Sequence, residues 1–394
     1  MSDDSKDAPR KALRRATNIV RTGLKPMEYH GFVNPPVVHA STVLFPDVDT
    51  MARKGQRYTY GRSGTPTTDA LTDIVNELEG ADATVLAPTG LAACTVALAA
   101  VVKSGDHILV VDNIYHPTRA FCDGFLSRYG VTTHYVDGQD LDAVETALTR
   151  PIAAVFLETP GSLTFEMIDV PKIAEMARAA GAVTLMDNTW ATPIYFQPLA
   201  HGVDLSIQAA TKYFAGHSDL LLGTIAGKAE LMAKVRKCWD EWGLHVGPDD
   251  VFLTLRGMRT LDVRLERHQR NTRLVSEWLS ARKEVAQVLY PALPGAPGHA
   301  LWARDFKGAT GLMGITFKDV PRDKVKAFVN GLGLFGIGAS WGGFESLATL
   351  ASLGSIRTAK PWPRDEHVVR LNIGLEDPQD LIEDLEGGLT AAFG

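Results

Sequence analysis

The chain predicts an α/β fold: a large domain built on a mostly parallel sheet, a small α/β domain after it and an arm before it. Three features carry this. From about residue 84 to 227, short apolar runs alternate with stretches whose apolar residues recur every three to four positions. Several of those stretches end in glycine, the usual residue beyond a helix C-terminus. At 394 residues and 45% hydrophobic, the chain is long enough for one large core and a second smaller one.

Taken in order, roughly the first sixty residues lack a strong period and read as an arm, 1–62, that packs on something else. TVLAPTG, HILVVDN, THYVD, IAAVFLET, AVTLMDN, LSIQAAT and LLLGTIAG then read as strands. LAACTVALAAVVKSG, PTRAFCDGFLSRYG, DLDAVETALTR and PKIAEMARAAG read as the helices between them. Strand, helix, strand in repetition implies parallel strands covered on both faces, with ligands at their carboxyl ends. Residues 228 to about 288 read as helical, and LPGAPGH at 293–299 as a turn-rich break. LMGITFK, RDKVKAFVNGL, HVVRLNIGLE and PQDLIEDLEGGLTAAF follow as strand, helix, strand, helix. The expected boundaries are 63–257 for the large domain and 258–394 for the small one.

Composition removes several function classes. A formal charge of −6, with both signs mixed along the chain, provides no basic stripe for nucleic acid. The cysteines Cys94, Cys122 and Cys238 are odd in number and far apart, which suits neither a disulfide framework nor a zinc site and points to a reducing compartment. The N-terminal stretch MSDDSKDAPRKALRRATNIV has no apolar centre, and no later run reaches membrane-spanning length, so a cytoplasmic protein is expected.

Two motif matches are set aside. GLGLFG at 331–336 satisfies GxGxxG but follows a helix-like stretch instead of a strand. GASWG at 338–342 satisfies the serine elbow GxSxG, with Asp365 and His367 downstream, but lies a hundred residues past the main sheet. His217 and Asp219 lack the further ligands a metal needs.

The chemistry centres on Lys212, a cation in the otherwise uncharged run SIQAATKYFAGHS at a strand's carboxyl end. Apolar surroundings lower a lysine's pKa, which makes its neutral amine a nucleophile and a base. One strand earlier, AVTLMDN places Asp187 at the equivalent position. A lysine that forms a Schiff base and an acid that keeps a pyridine nitrogen protonated are what pyridoxal 5'-phosphate (PLP) chemistry requires. APTGLAAC passes from strand through Thr89 and Gly90 straight into a helix, presenting free N–H groups to a phosphate. Tyr115, just past the next strand, offers a ring to stack on a planar cofactor. Arg370, a cation on an apolar strand, can fork two donors onto a carboxylate or pair structurally with Glu376.

SIQAATKYFAGHSD, YTYGRSGTPT, LETPGSLTFE, SWGGFESL and VVRLNIGLED together resemble the Cys/Met-metabolism family of PLP-dependent enzymes, from about residue 25 to the end. The resemblance implies an aspartate-aminotransferase-like fold and action on a sulfur-containing amino acid. It implies that Lys212 carries the cofactor, that Asp187 meets its ring nitrogen and that Tyr115 stacks on it and takes part in catalysis. It assigns Thr89, Gly90, Leu91 and Thr211 to the phosphate, with Gln208 or Ser206 as weaker candidates, and Ser340, Trp341 and Arg370 to the substrate. Tyr60 and Arg62 match a pair that reaches the phosphate from a neighbouring subunit, which implies a homo-oligomer, a tetramer built from dimers that share active sites. PTGLAAC and GGFESL depart from the commonest forms of their motifs.

Overall fold

Seven strands form the larger of two sheets in the computed structural model, which describes residues 13–354 and 356–394; the charged stretch before residue 13 lies outside them. The strands are β1 (Ala83–Ala87), β2 (His107–Val111), β3 (Thr132–Val136), β4 (Ile152–Glu158), β5 (Val183–Asp187), β6 (Leu205–Gln208) and β7 (Gly223–Gly227), in the order β1-β7-β6-β5-β4-β2-β3. The pairs β2–β3, β2–β4, β4–β5 and β5–β6 are parallel, while β7 runs antiparallel to both β6 and β1. Helices Gly90–Val101, Leu141–Leu148 and Val170–Ala179 supply crossovers. The central strands are covered on both faces, so Phe156, Leu157, Leu185, Met186, Leu205 and Ile207 are all buried.

The antiparallel β7 matters for function. A parallel neighbour would need a crossover back to the opposite end of the sheet, whereas an antiparallel one can start from the rim where β6 ends. The connection from Ala209 to Leu222 therefore stays at the carboxyl rim, and it carries Lys212.

Helices Ala229–Glu241, Pro248–Met258 and Leu261–Ser280 lead to the second sheet. Its strands β8 (Gln287–Leu289), β9 (Leu312–Lys318), β10 (Gly336–Ile337), β11 (Leu347–Leu350) and β12 (Glu366–Asn372) lie in the order β10-β11-β12-β9-β8, and helices Arg322–Asn330 and Pro378–Phe393 pack against each other beside it. The expected strands LMGITFK and HVVRLNIGLE are β9 and β12, central and buried. β8, β10 and β11 were not anticipated; at three, two and four residues they are too short to show a period. LPGAPGH is a turn as expected but runs directly into helix His299–Asp305.

In the arm, helix Arg15–Arg21 buries Ile19, and Arg259 donates to the carbonyls of Ile19 and Thr22 at 2.7 and 2.8 Å. Further along, Met27, Phe32, Val33, Leu44, Val48 and Met51 are exposed. No helix among the described residues is long and apolar enough to cross a membrane. GLGLFG is a loop whose Gly333 and Leu334 N–H groups donate to the Asp384 carboxylate, which leaves no role for it as a dinucleotide motif.

Candidate active site

The carboxyl ends of β1, β2, β4, β5 and β6 open into one cavity of about 270 Å³. Thr89, Gly90, Leu91, Tyr115, Asp187, Thr211, Lys212, Trp341 and Arg370 all line it. Thr89 caps helix Gly90–Val101, its hydroxyl accepting from the Ala92 N–H at 2.9 Å. The first N–H groups of a helix have no acceptor within it. Those of Gly90 and Leu91 consequently face the cavity rim. A Cβ on Gly90 would stand 2.4 Å from the Ala209 Cβ, so glycine is what allows this turn to press against the segment leading to Lys212.

The Lys212 amine donates to the Ser340 hydroxyl at 2.7 Å and lies 5.1 Å from the Trp341 ring centre. Burial, followed by repulsion from Arg370 and partly offset by Asp187, pushes its pKa down to about 8. Gly342 stands beside it with φ +80°, where any Cβ would lie 3.1 Å from that of Lys212. The Thr211 hydroxyl already closes the β6–β7 connection through Leu222, accepting from its N–H at 3.0 Å and donating to its carbonyl at 3.2 Å.

Asp187 is oriented by Thr189, whose N–H and hydroxyl donate to one carboxylate oxygen at 3.0 and 2.6 Å. Its other oxygen meets the Cys94 thiol at 3.8 Å, a weak partner. Burial raises its pKa. Glu158, paired with Asp187 across β4 and β5, accepts from the Tyr115 N–H at 2.7 Å; burial and then Asp187 raise it well above the usual carboxylate range. Two buried carboxylates at adjacent strand ends call for a positive group between them. The Tyr115 phenol is also raised, by burial and then by Asp187.

Arg370 donates to the carbonyls of Gly338, Ala339 and Ser340 at 2.8–3.0 Å and to the Thr349 hydroxyl at 2.9 Å. Burial pushes it down to about 10. The alternative pair with Glu376 does not form, because that carboxylate accepts from the Ser346 N–H and hydroxyl at 2.7 and 2.9 Å. Arg370 thus enters the cavity with its charge unmatched by an acid among the described residues.

Some expectations need correction. Ser206 and Gln208 share the other face of β6, since alternate strand residues point the same way, and Gln208 donates to the buried Glu79 at 3.0 Å; neither lines the cavity. Ser340 touches Lys212 and is not joined to His367, which removes the serine-elbow reading. The His217 ring nitrogen donates to the Ala215 carbonyl at 2.7 Å, a structural bond, and no metal-holding cluster occurs among the described residues. Tyr60 and Arg62 lie outside their own chain's cavity; Arg62 pairs with Asp240 at 3.1 Å and lies over the Trp239 ring. Sequence reasoning missed Glu158, Thr189, Leu163 and Phe165. Glu158 was open to the strand-end argument that found Asp187, whereas Leu163 and Phe165 lie in a loop with no pattern to reveal them.

PLP fits these residues. A buried carboxylate with one oxygen nearly unpartnered, a lysine held toward neutrality, a phenol ring lining the same cavity and free N–H groups at a helix start match its ring nitrogen, aldehyde, ring face and phosphate. The model for the Cys/Met metabolism PLP-dependent enzymes matches residues 16–390. The chain belongs to this family. PLP is therefore its cofactor. Among relatives of this family member, a putative cystathionine beta-lyase of Rhizobium johnstonii is 50% identical over 95% of this chain and 96% of that protein. The cystathionine beta-lyase of Escherichia coli is 38% identical over 95% and 98%. A solved structure of cystathionine gamma synthase from Xanthomonas oryzae, in complex with aminoacrylate and cysteine, is 34% identical and superposes with a TM-score of 0.90 over 97% of this chain and 99% of that one.

Proposed function

We propose that the protein is a carbon–sulfur β-lyase that cleaves L-cystathionine to homocysteine, pyruvate and ammonia, with other cysteine S-conjugates as further substrates, and that it acts in the cytoplasm. The observation that carries the reading is the Lys212 amine, held toward neutrality in the same cavity as Asp187 and the unpaired Arg370. The two β-lyase relatives, named above, support the choice of substrate, and three free cysteines fit a reducing compartment.

When bound, PLP supplies an electron-withdrawing ring that accepts the electrons left at the substrate's Cα. Lys212 would hold the cofactor, and its neutral amine would take the Cα proton. Arg370 would receive the α-carboxylate; the Gly338, Ala339 and Ser340 carbonyls and the Thr349 hydroxyl hold its two Nη nitrogens, and its Nε has no partner among the described residues. Asp187 would keep the ring nitrogen protonated, with Thr189 aiming the carboxylate. Tyr115 would stack on the ring; its raised pKa keeps the phenol protonated, so it or Lys212 could hand a proton to the departing thiolate. Ser340 orients the Lys212 amine, and Trp341 lines the cavity with its ring centre 5.1 Å from that amine.

The same reading makes the working unit a dimer, two of which form a tetramer. Tyr60 and Arg62 would reach the partner's phosphate site, and the exposed Met27, Phe32, Leu44 and Val48 of the arm would be covered in that assembly. We place the domain limits at 62/63 and 257/258.

Pyruvate release from L-cystathionine by the PLP-loaded protein tests the proposal. Lys212→Ala is expected to lower it about a thousandfold or more, within the range for loss of a catalytic base, while Ser340→Ala keeps most of it. The opposite ranking would replace the lyase with a serine-dependent enzyme.

A further inference from the structure

Cavity residues Leu163 and Phe165 both have left-handed backbone, at φ 66° and 57°. Branched and aromatic residues disfavour that region, and such conformations persist only where the surroundings over-determine them. Within the loop, Phe165 N–H donates to the Gly161 carbonyl at 2.9 Å and Ser162 N–H to the Asn113 carbonyl at 2.8 Å. Gly161 N–H also donates to the Glu166 carbonyl at 3.0 Å, and the Thr164 hydroxyl meets the Ser162 carbonyl and the Glu166 carboxylate. A further hold comes from far away. Arg357, in the segment between β11 and β12 and almost wholly buried, donates through Nη1 to the Thr164 hydroxyl and through Nη2 to the Glu166 carboxylate, each at 2.8 Å. Its Nε reaches Asp112 at 3.3 Å, three residues before Tyr115.

Asp112 anchors this arrangement. It also accepts from Arg119 at 2.9 Å and from the N–H groups of Thr358 and Lys360, each at 2.9 Å. Burial pushes its pKa up, but these bonds outweigh burial and hold it down to about 2. Two arginines and two carboxylates thus balance in the interior and tie the small domain's segment to the loop after β4. Phe165 completes the tie, because its ring packs where a Cβ on Gly314 of β9 would come within 2.9 Å. None of these contacts involves Thr89, Asp187, Lys212 or Arg370.

We propose that Arg357 is a positioning residue for substrate selection: it holds Gly161–Phe165 in place as the wall that meets the substrate's group beyond sulfur. The choice of substrates in the test rests on the lyase reading; the geometry of the wall does not. Loosening the wall would penalise a long substrate that leans on it and spare a short one that stops at the sulfur.

The test compares L-cystathionine with S-methyl-L-cysteine on the PLP-loaded wild type, Arg357→Leu and the milder Thr164→Val. Arg357→Leu is expected to lower kcat/KM for L-cystathionine about tenfold, mainly through KM, and to change S-methyl-L-cysteine by less than about threefold, in the range of a lost pocket contact. Thr164→Val shifts the same ratio in the same direction by about threefold, and it carries the test if Arg357→Leu does not fold. The cofactor's absorption should stay unchanged in both variants. Equal losses on both substrates, or an unchanged ratio in both variants, would overturn the proposal and leave Arg357 a general stabiliser. If the wild type released pyruvate from neither substrate, the lyase reading would fail. The wall would then be judged from the two amino acids' dissociation constants, read from the cofactor's absorption change, with the same split expected and equal shifts overturning it.

Discussion

The two ends of the cavity are built by different means. At the cofactor end, Thr89, Tyr115, Asp187 and Lys212 follow β1, β2, β5 and β6 closely, and several are fixed by near neighbours: Thr89 by Ala92, Asp187 by Thr189. At the substrate end, Arg370 is held by the carbonyls of a loop some thirty residues away, Ser340 accepts from the cofactor end's Lys212 across 128 positions, and Arg357 reaches Asp112 across 245. Strand ends of a buried parallel sheet form a rigid frame, and loops mounted on it can change without disturbing it. The difference suggests that the cofactor chemistry is a property of the sheet and the substrate preference a property of how the two domains are tied together.

Substitutions at the two ends should therefore fail differently. Asp187→Asn cannot keep the ring nitrogen charged and is expected to cut kcat about a hundredfold or more, the scale of losing one aimed electrostatic partner, with KM little changed; steady-state kinetics will read it. A large KM effect with normal kcat would break the division between the ends. Arg370→Lys loses the two-pronged grip on the carboxylate at a cost of about 2 kcal/mol, expected as a KM rise of about thirtyfold with the cofactor's absorption unaltered. A further effect is one of pH. Lys212 is pushed down to about 8, and its reactive form is the neutral amine, so capture of PLP by the cofactor-free protein should speed up as pH rises through 8. Below that, it should slow by about tenfold per unit. A rate that keeps climbing about tenfold per unit through pH 9 instead of levelling above 8, measured by absorbance, would mean that the lysine is not held toward neutrality.

This contrast also explains what was legible in the sequence. Short apolar runs, most with helix-spaced stretches between them, revealed all seven strands of the large sheet, four to seven residues long, and counting to their carboxyl ends located Asp187, Lys212, Thr89 and Tyr115. The same counting would have found Glu158, at the end of β4. Ser206 and Gln208, weaker candidates that the resemblance offered, failed because the period of two decides the face and Glu79 takes the amide. The Leu163–Phe165 wall was illegible because its conformation depends on Arg357, some 190 positions later, and on left-handed backbone that no composition rule anticipates at leucine and phenylalanine. The short strands β8, β10 and β11 were hidden for a related reason: they exist through pairing, β8 with β9, β11 with β12 and β10 with β11, not through a pattern of their own.

The identity of the ketoacid released from L-cystathionine tests the account most directly. The PLP-loaded protein, incubated with L-cystathionine and analysed by chromatography of the products, is predicted to yield pyruvate and homocysteine in equal amounts. Release of 2-oxobutanoate with cysteine would contradict it, because that outcome requires cleavage on the γ side of the sulfur.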